Sequence, residues 1–292
     1  MVAHGVPVTK PGAGGAVQTC GAPKDPTTDL GTLLRNTDDA LPTGRTSRSD
    51  DVKATERWYS PRLQKDIGLA RWGHYGTPVL VFPTAGGDAE EVERNHLVGA
   101  CGGLIESGRI KLFSCDSVAG RAMVAAEGSP AYRMWLLNQF HECVRREVVP
   151  AIHADLGGHQ PLIVTAGASI GAFNSLAMLC RYPDVIAMAV AMSGTFRVER
   201  FFEGEFTNDL YFSSPLHFLH DLEGPQLDTL RQRLAVLASG QGAWEDVGES
   251  WHAAEVLGRK GVPNRVDAWG AEWEHDWATW RKMLPQYLAE FC

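Results

Sequence analysis

One pentapeptide constrains this chain more than any other: Gly167-Ala168-Ser169-Ile170-Gly171. Before it lies Leu162-Ile163-Val164-Thr165, a β-rich run suited to a buried strand. After it lies Ala172-Phe173-Asn174-Ser175-Leu176-Ala177-Met178-Leu179-Cys180, which reads as helix. A serine between strand and helix must stand on a sharp turn. Glycines two residues to either side remove the Cβ atoms that would keep the two backbones apart. The same turn aims the amide of Ile170 at the space beside the serine. A serine in a Gly/Ala-rich loop is the plainer reading, but strand and helix in that order favour the turn.

The rest of the chain supplies a frame for it. Glu56-Arg57-Trp58-Tyr59-Ser60 and Asp66-Ile67-Gly68-Leu69-Ala70-Arg71-Trp72 predict two strands of a meander. Further strands are expected at 78–82, 110–114, 186–192, 234–238 and 265–269, and helices at 88–105, 131–153, 250–258 and 277–291. Strands alternating with helices predict an α/β fold, a mostly parallel central sheet with helices on both faces. Residues 1–52 are rich in Gly, Pro, Thr and Asp and lack aromatics, so they read as an extended or poorly ordered arm with one helical turn at 30–34. The domain proper is expected over 53–292, with cap-like elements around 196–230.

A formal charge of −8 gives no reason to expect nucleic acid or an anionic membrane as partner. No run approaches the ~20 apolar residues of a membrane span, and 1–16 lacks the apolar core of a secretory signal. The six cysteines, Cys20, Cys101, Cys115, Cys143, Cys180 and Cys292, form no C-x-x-C pair and no zinc spacing. A reduced, cytoplasmic protein with no metal and no organic cofactor is the expectation.

A serine hydroxyl becomes a nucleophile when a neighbouring base takes its proton, and a carboxylate usually holds that base. A strand, a glycine-flanked serine and a helix make the nucleophile elbow of α/β-hydrolases, in which acid and then histidine follow the serine along the chain. Four histidines lie downstream. His217 and His220 sit in Pro215-Leu216-His217-Phe218-Leu219-His220, where packing or surface roles fit best, and His252 lies within an expected helix. His275 stands between the last strand and the last helix, where the base belongs, among Trp273, Trp277 and Trp280. The acid is expected in Ser239-Gly240-Gln241-Gly242-Ala243-Trp244-Glu245-Asp246, after the preceding strand. Glu245 and Asp246 are both candidates, and the one not facing His275 would suit a helix N-terminus. The second oxyanion donor, beside Ile170, is expected in Pro83-Thr84-Ala85-Gly86-Gly87, with Ala85 first and Thr84 next. Thr84, Trp244 and Trp273 are candidate pocket residues.

These segments carry a resemblance. Trp58-Tyr59-Ser60-Pro61-Arg62-Leu63, Pro78-Val79-Leu80-Val81-Phe82-Pro83, Gly167 to Ala172, Gly240 to Asp246, and His275-Asp276-Trp277 with Trp280-Arg281 resemble the putative-esterase branch of the α/β-hydrolases. That branch holds S-formylglutathione hydrolases, feruloyl esterases, enterochelin esterases and mycolyltransferases. The resemblance runs from about Glu56 to Leu288. In such esterases the acid commonly lies three residues after a glycine, which maps Gly242 onto Glu245 and favours it over Asp246. The family's acid is more often aspartate, so a glutamate here is a departure. The resemblance implies a serine carboxylesterase working through Ser169, His275, Glu245 and an acyl-enzyme on a small-molecule ester. An acyltransferase with the same triad is the alternative, as is a non-catalytic binding protein on a hydrolase scaffold. A homo-oligomer is compatible with either.

Overall fold

The computed structural model describes residues 53–292. The arm at 1–52, with its helical turn, and Cys20 lie outside the described residues. The strands are β1 (Lys53–Ser60), β2 (Lys65–Trp72), β3 (Thr77–Phe82), β4 (Ile110–Cys115), β5 (Ile163–Ala168), β6 (Ile186–Met192), β7 (Leu234–Ser239) and β8 (Asn264–Ala268). The helices are α1 (Glu91–Arg94), α2 (Leu97–Ala100), α3 (Gly102–Glu106), α4 (Val118–Val124), α5 (Pro130–Cys143), α6 (Val149–Asp155), α7 (Ile170–Arg181), α8 (Asn208–Ser213), α9 (Pro215–Phe218), α10 (Gly224–Leu230), α11 (Val247–Arg259) and α12 (Trp277–Phe291).

The strands form one sheet in the order β1-β2-β4-β3-β5-β6-β7-β8. The pairs β1–β2 and β2–β4 are antiparallel, and every later pair is parallel. Strands β4 to β7 are buried along their whole length, as continuous apolar runs in a parallel sheet require. Two apolar cores cover the sheet, one on each face. The first gathers Phe82, Phe113, Phe140, Phe173 and Phe196 against α5 and α7; the second packs Trp280, Met283, Leu284 and Tyr287 of α12 against Val79, Val164 and Val190.

The α/β-hydrolase architecture with a mostly parallel sheet is therefore present. The chain leaves β3 for β4 on one side and returns to β5 on the other. The carboxyl ends of β3 and β5 thus flank a topological switch point, the place where open α/β sheets collect ligands.

Two stretches differ from their sequence patterns. The run 88–105 is three short helices, not one. His96 takes φ +62°, and Gly99, Gly102 and Gly103 weaken any continuous helix. The expected helix at 131–153 does form, but it passes through a π-helical turn at Val144–Val148 between α5 and α6. Pro150 lies just beyond, with no N–H to give to the preceding turn. Helix α4 was not legible in advance. Between β6 and β7, the 196–230 segment holds a short 3-10 turn and α8 to α10. It is tied to α5 by Asn138 donating to Asp209 at 2.7 Å and by buried Arg133 donating to the Phe201 carbonyl at 3.2 Å.

Candidate active site

Ser169 follows β5 directly and precedes α7, at φ +57° and ψ −119°. A non-glycine residue pays about 1–3 kcal/mol for such a backbone, so its surroundings must hold it there. They do so by hydrogen bonds and by close approach. The Ser169 amide donates to the Met192 carbonyl at 3.0 Å, and its carbonyl accepts from Ala172, Phe173 and Thr195 amides at 3.1–3.3 Å. A Cβ on Gly167 would lie 2.5 Å from the Gly171 carbonyl, and one on Gly171 would lie 2.5 Å from the Phe82 carbonyl oxygen. Both glycines are fixed by backbone contact, and the second packs the turn against the end of β3.

That contact brings the start of α7 beside the turn after β3. The amide of Ile170 opens α7 and has no acceptor among the described residues, as the first turn of a helix dictates. Among the described residues the Ala85 amide likewise has no protein acceptor. Thr84 is differently employed: its amide and hydroxyl donate to the two carboxylate oxygens of Glu91 at 2.8 and 2.9 Å. Thr84 therefore braces the turn, and its amide is not free in the way that of Ala85 is. Ser117 Oγ donates to the Ala85 carbonyl at 3.2 Å, tying the turn to the start of α4.

The acid and histidine loops are joined along their backbones. Gly242 N donates to the Trp273 carbonyl at 2.9 Å, Gln241 N to Gly270 at 3.2 Å, and His275 N to Ala243 at 3.0 Å. A Cβ at Gly240 would sit 2.1 Å from the Trp273 carbonyl oxygen, so only glycine permits this approach. The result sets Glu245 Oε2 3.8 Å from His275 Nδ1, an ion-pair distance rather than a hydrogen bond. The Glu245 side chain is 1% exposed and His275 24%. Burial pushes the Glu245 pKa up, but His275, the Ser193 hydroxyl and the Ser239 hydroxyl outweigh it and hold the carboxyl below its usual range.

Asp246 takes the other role. It is the N-cap of α11, accepting from Gly248 N at 2.9 Å, and its side chain is 64% exposed. Trp244, at φ +66° and 93% exposed, is a surface side chain rather than a pocket wall. With Glu245 turned inward, its neighbour is turned out. Trp273 packs edge-on against Trp269 at 5.0 Å.

Three further residues complete the cluster: Ser193, which carried no sequence signal, Ser239 of the acid loop, and Trp280, expected only as part of an apolar wall. Ser193, at φ +47° just past β6, donates its hydroxyl to Glu245 Oε1 and accepts from Trp280 Nε1 at 2.9 Å. Ser239 Oγ donates to Glu245 Oε2 at 3.0 Å. Trp280 is buried and stands edge-on to the His275 ring at 5.2 Å, so one indole touches both the acid's clamp and the imidazole. Among the described residues no hydrogen bond joins Ser169 Oγ to His275.

The remaining candidates lie elsewhere. His217 pairs with Glu199 at 3.2 Å and packs on Phe206, and His252 is exposed on α11. Cys101, Cys115, Cys143 and Cys180 are buried, and burial pushes the Cys101 and Cys143 thiols up to about 12. Among the described residues no group of three His, Cys, Asp or Glu is arranged to hold a metal. No helix there is long and apolar enough to cross a membrane.

Comparison with known proteins agrees with this fold. The profile of a family described as "Putative esterase" matches residues 112–291, more than half of the chain. Among solved structures, a ferulic acid esterase superposes with a TM-score of 0.61 at 16% identity, covering 81% of this chain and 95% of that one. An S-formylglutathione hydrolase from Staphylococcus aureus gives 0.55 at 14% identity, covering 85% and 99%. Another from Agrobacterium tumefaciens gives 0.61 at 10% identity, covering 81% and 93%. At these identities the superpositions speak to fold. No curated protein matches the sequence.

Proposed function

The chain belongs to the putative esterase family, ester hydrolases on the α/β-hydrolase fold, and from that premise we propose a serine carboxylesterase with Ser169 as nucleophile, His275 as general base and Glu245 as orienting acid. The observation that carries this reading is the buried, ionised Glu245 beside His275 Nδ1, on the loop after β7, with Ser169 on the elbow after β5. A carboxylate there favours the tautomer with a proton on Nδ1. Nε2 is then left with the lone pair that a serine base needs. The separation of 3.8 Å tightens by a small rotation of the ring, as catalytic contacts commonly do once substrate arrives.

Ser169 Oγ attacks the acyl carbonyl while His275 Nε2 takes its proton. The developing oxyanion is held by the amides of Ile170 and Ala85, neither of which has an acceptor among the described residues. The first also gains from the positive end of the α7 dipole. His275 then gives its proton to the departing alcohol. Water, deprotonated by the same nitrogen, attacks the acyl-enzyme and frees Ser169. No step calls for a cofactor.

The test compares wild type with Ser169→Ala on p-nitrophenyl acetate and butyrate, together with fluorophosphonate labelling. Loss of turnover and of label in the variant is expected. Equal rates in the two proteins would refute the assignment.

A further inference from the structure

We propose that the esters this site prefers carry a negative charge close to the scissile bond, and that Arg121 and Arg200 recognise it. The proposal rests on Ser169 being the nucleophile. Arg121, exposed on α4, donates from Nε to the Gly86 carbonyl at 3.3 Å, next to the Ala85 oxyanion amide. Arg200, also exposed, donates from Nη2 to Thr195 Oγ1 at 3.4 Å. Thr195 in turn gives its amide to the carbonyl of Ser169. The Phe201 ring lies 5.1 Å from the Arg200 guanidinium carbon and steadies it. Each arginine is thus bonded to a residue that adjoins Ala85 or Ser169, one from α4 and the other from the segment after β6.

Among the described residues neither is locked in an ion pair, in a chain of net charge −8. Acids near them in the chain bond to other groups, although the Asp88 carboxyl also feels the Arg121 charge. Glu91 holds Thr84, Asp88 pairs with Arg94, Glu199 with His217, Glu203 with Arg133, and Glu249 with Arg197. Among the described residues neither Arg121 nor Arg200 has a carboxylate in ion-pair range, and most of their N–H donors have no acceptor. Two forked donors of fixed charge, together with the positive end of α7, make a field that neutral esters leave unused. A carboxylate or phosphate on the acyl or the alcohol part would meet it with charge-assisted hydrogen bonds.

Two matched pairs of esters distinguish the two halves of the substrate. The acyl pair is 4-nitrophenyl monosuccinate against its methyl-capped diester. The alcohol pair is 4-acetoxybenzoate against its methyl ester. Each is read as the ratio of kcat/KM, anionic over neutral, after subtracting the rate with Ser169→Ala. Wild type is expected to favour the anionic member of at least one pair by about tenfold or more, with the preference shrinking as NaCl rises from about 0.05 to about 0.5 M. In R121Q/R200Q the ratio should fall about tenfold, while R121K/R200K keeps most of it. Arg259→Gln, on the distant exposed end of α11, serves as the charge control. A ratio near one for both pairs in wild type, or a ratio unmoved in the double Gln variant, overturns the proposal. If Ser169→Ala hydrolyses all four esters as fast as wild type, it is the nucleophile assignment that has failed.

Discussion

Two histidines in this molecule sit among comparable polar partners and have opposite fates. His141, on α5, is fully buried against α7. Its Nε2 donates to Asn174 Oδ1 at 3.1 Å and its Nδ1 accepts from Arg181 Nη1 at 3.1 Å. Burial, joined by the Arg181 charge, pushes its pKa down to about 3. His275 is partly exposed, faces an ionised carboxylate on one side only, and has a second ring nitrogen with no hydrogen-bond partner among the described residues. Both have good company, but only His275 keeps a ring nitrogen free for the general-base role we propose. A histidine becomes a base when half of its hydrogen-bonding capacity is left unspent.

The sharpest break in this comparison is substitution of each ring. His275→Ala should lower kcat on p-nitrophenyl butyrate by at least ~10⁴-fold at unchanged stability. His141→Ala should instead destabilise the fold by about 2–4 kcal/mol in urea titration, by leaving Arg181 and Asn174 without their partner, while the folded fraction keeps its turnover. Next in size is the carboxylate. Glu245→Gln should cost about 10³-fold in kcat, because the neutral amide no longer fixes the tautomer. Asp246→Asn should cost less than about threefold, since asparagine caps α11 as well as aspartate. A larger loss from Asp246→Asn would exchange their roles. Ser193→Ala should follow, with a drop of about tenfold in kcat and little change in KM, as Glu245 loses one of its two hydroxyl donors.

The effect on pH-dependent stability has the same sign for both clusters while its range differs. His141 has its pKa lowered in the fold from an ordinary 6.5, so the unfolded chain binds the proton first. Stability should therefore fall as pH drops from 6.5 toward about 3, by up to ~1.4 kcal/mol per unit. Glu245 is also lowered, from 4.5, so its contribution is present above that value and lost only as pH falls through its folded pKa. In urea titrations between pH 7 and 5, His141→Gln should flatten the slope and Glu245→Gln should leave it unchanged.

Much of this was legible in the sequence because it depends on spacing. The elbow needs a strand, two glycines and a helix in order; chain order then pointed to His275 and to the Glu245-Asp246 pair, and the family resemblance favoured Glu245. Alternating strands and helices indicated a mostly parallel sheet, but not the order of β3, β4 and β5 within it. What escaped depends on register between strands that are distant along the chain. Ser193 and Ser239 end adjacent parallel strands, and no local pattern says that their hydroxyls converge on one carboxylate. The outward turn of Trp244 depends on a left-handed backbone at a non-glycine residue, which composition does not signal. The π-helical turn at Val144–Val148 escaped because its residues keep helical periodicity.

Trp280 extends the account to how the cluster is assembled. Its indole nitrogen bonds Ser193, and its ring meets His275, yet it belongs to α12, which follows every reacting group in the chain. On a ribosome, the serine turn, the acid and the histidine are all synthesised before that indole can dock. In the nascent protein the Ser193 hydroxyl and the His275 ring therefore wait for a common neighbour. Seating α12 on the sheet supplies it, through one indole.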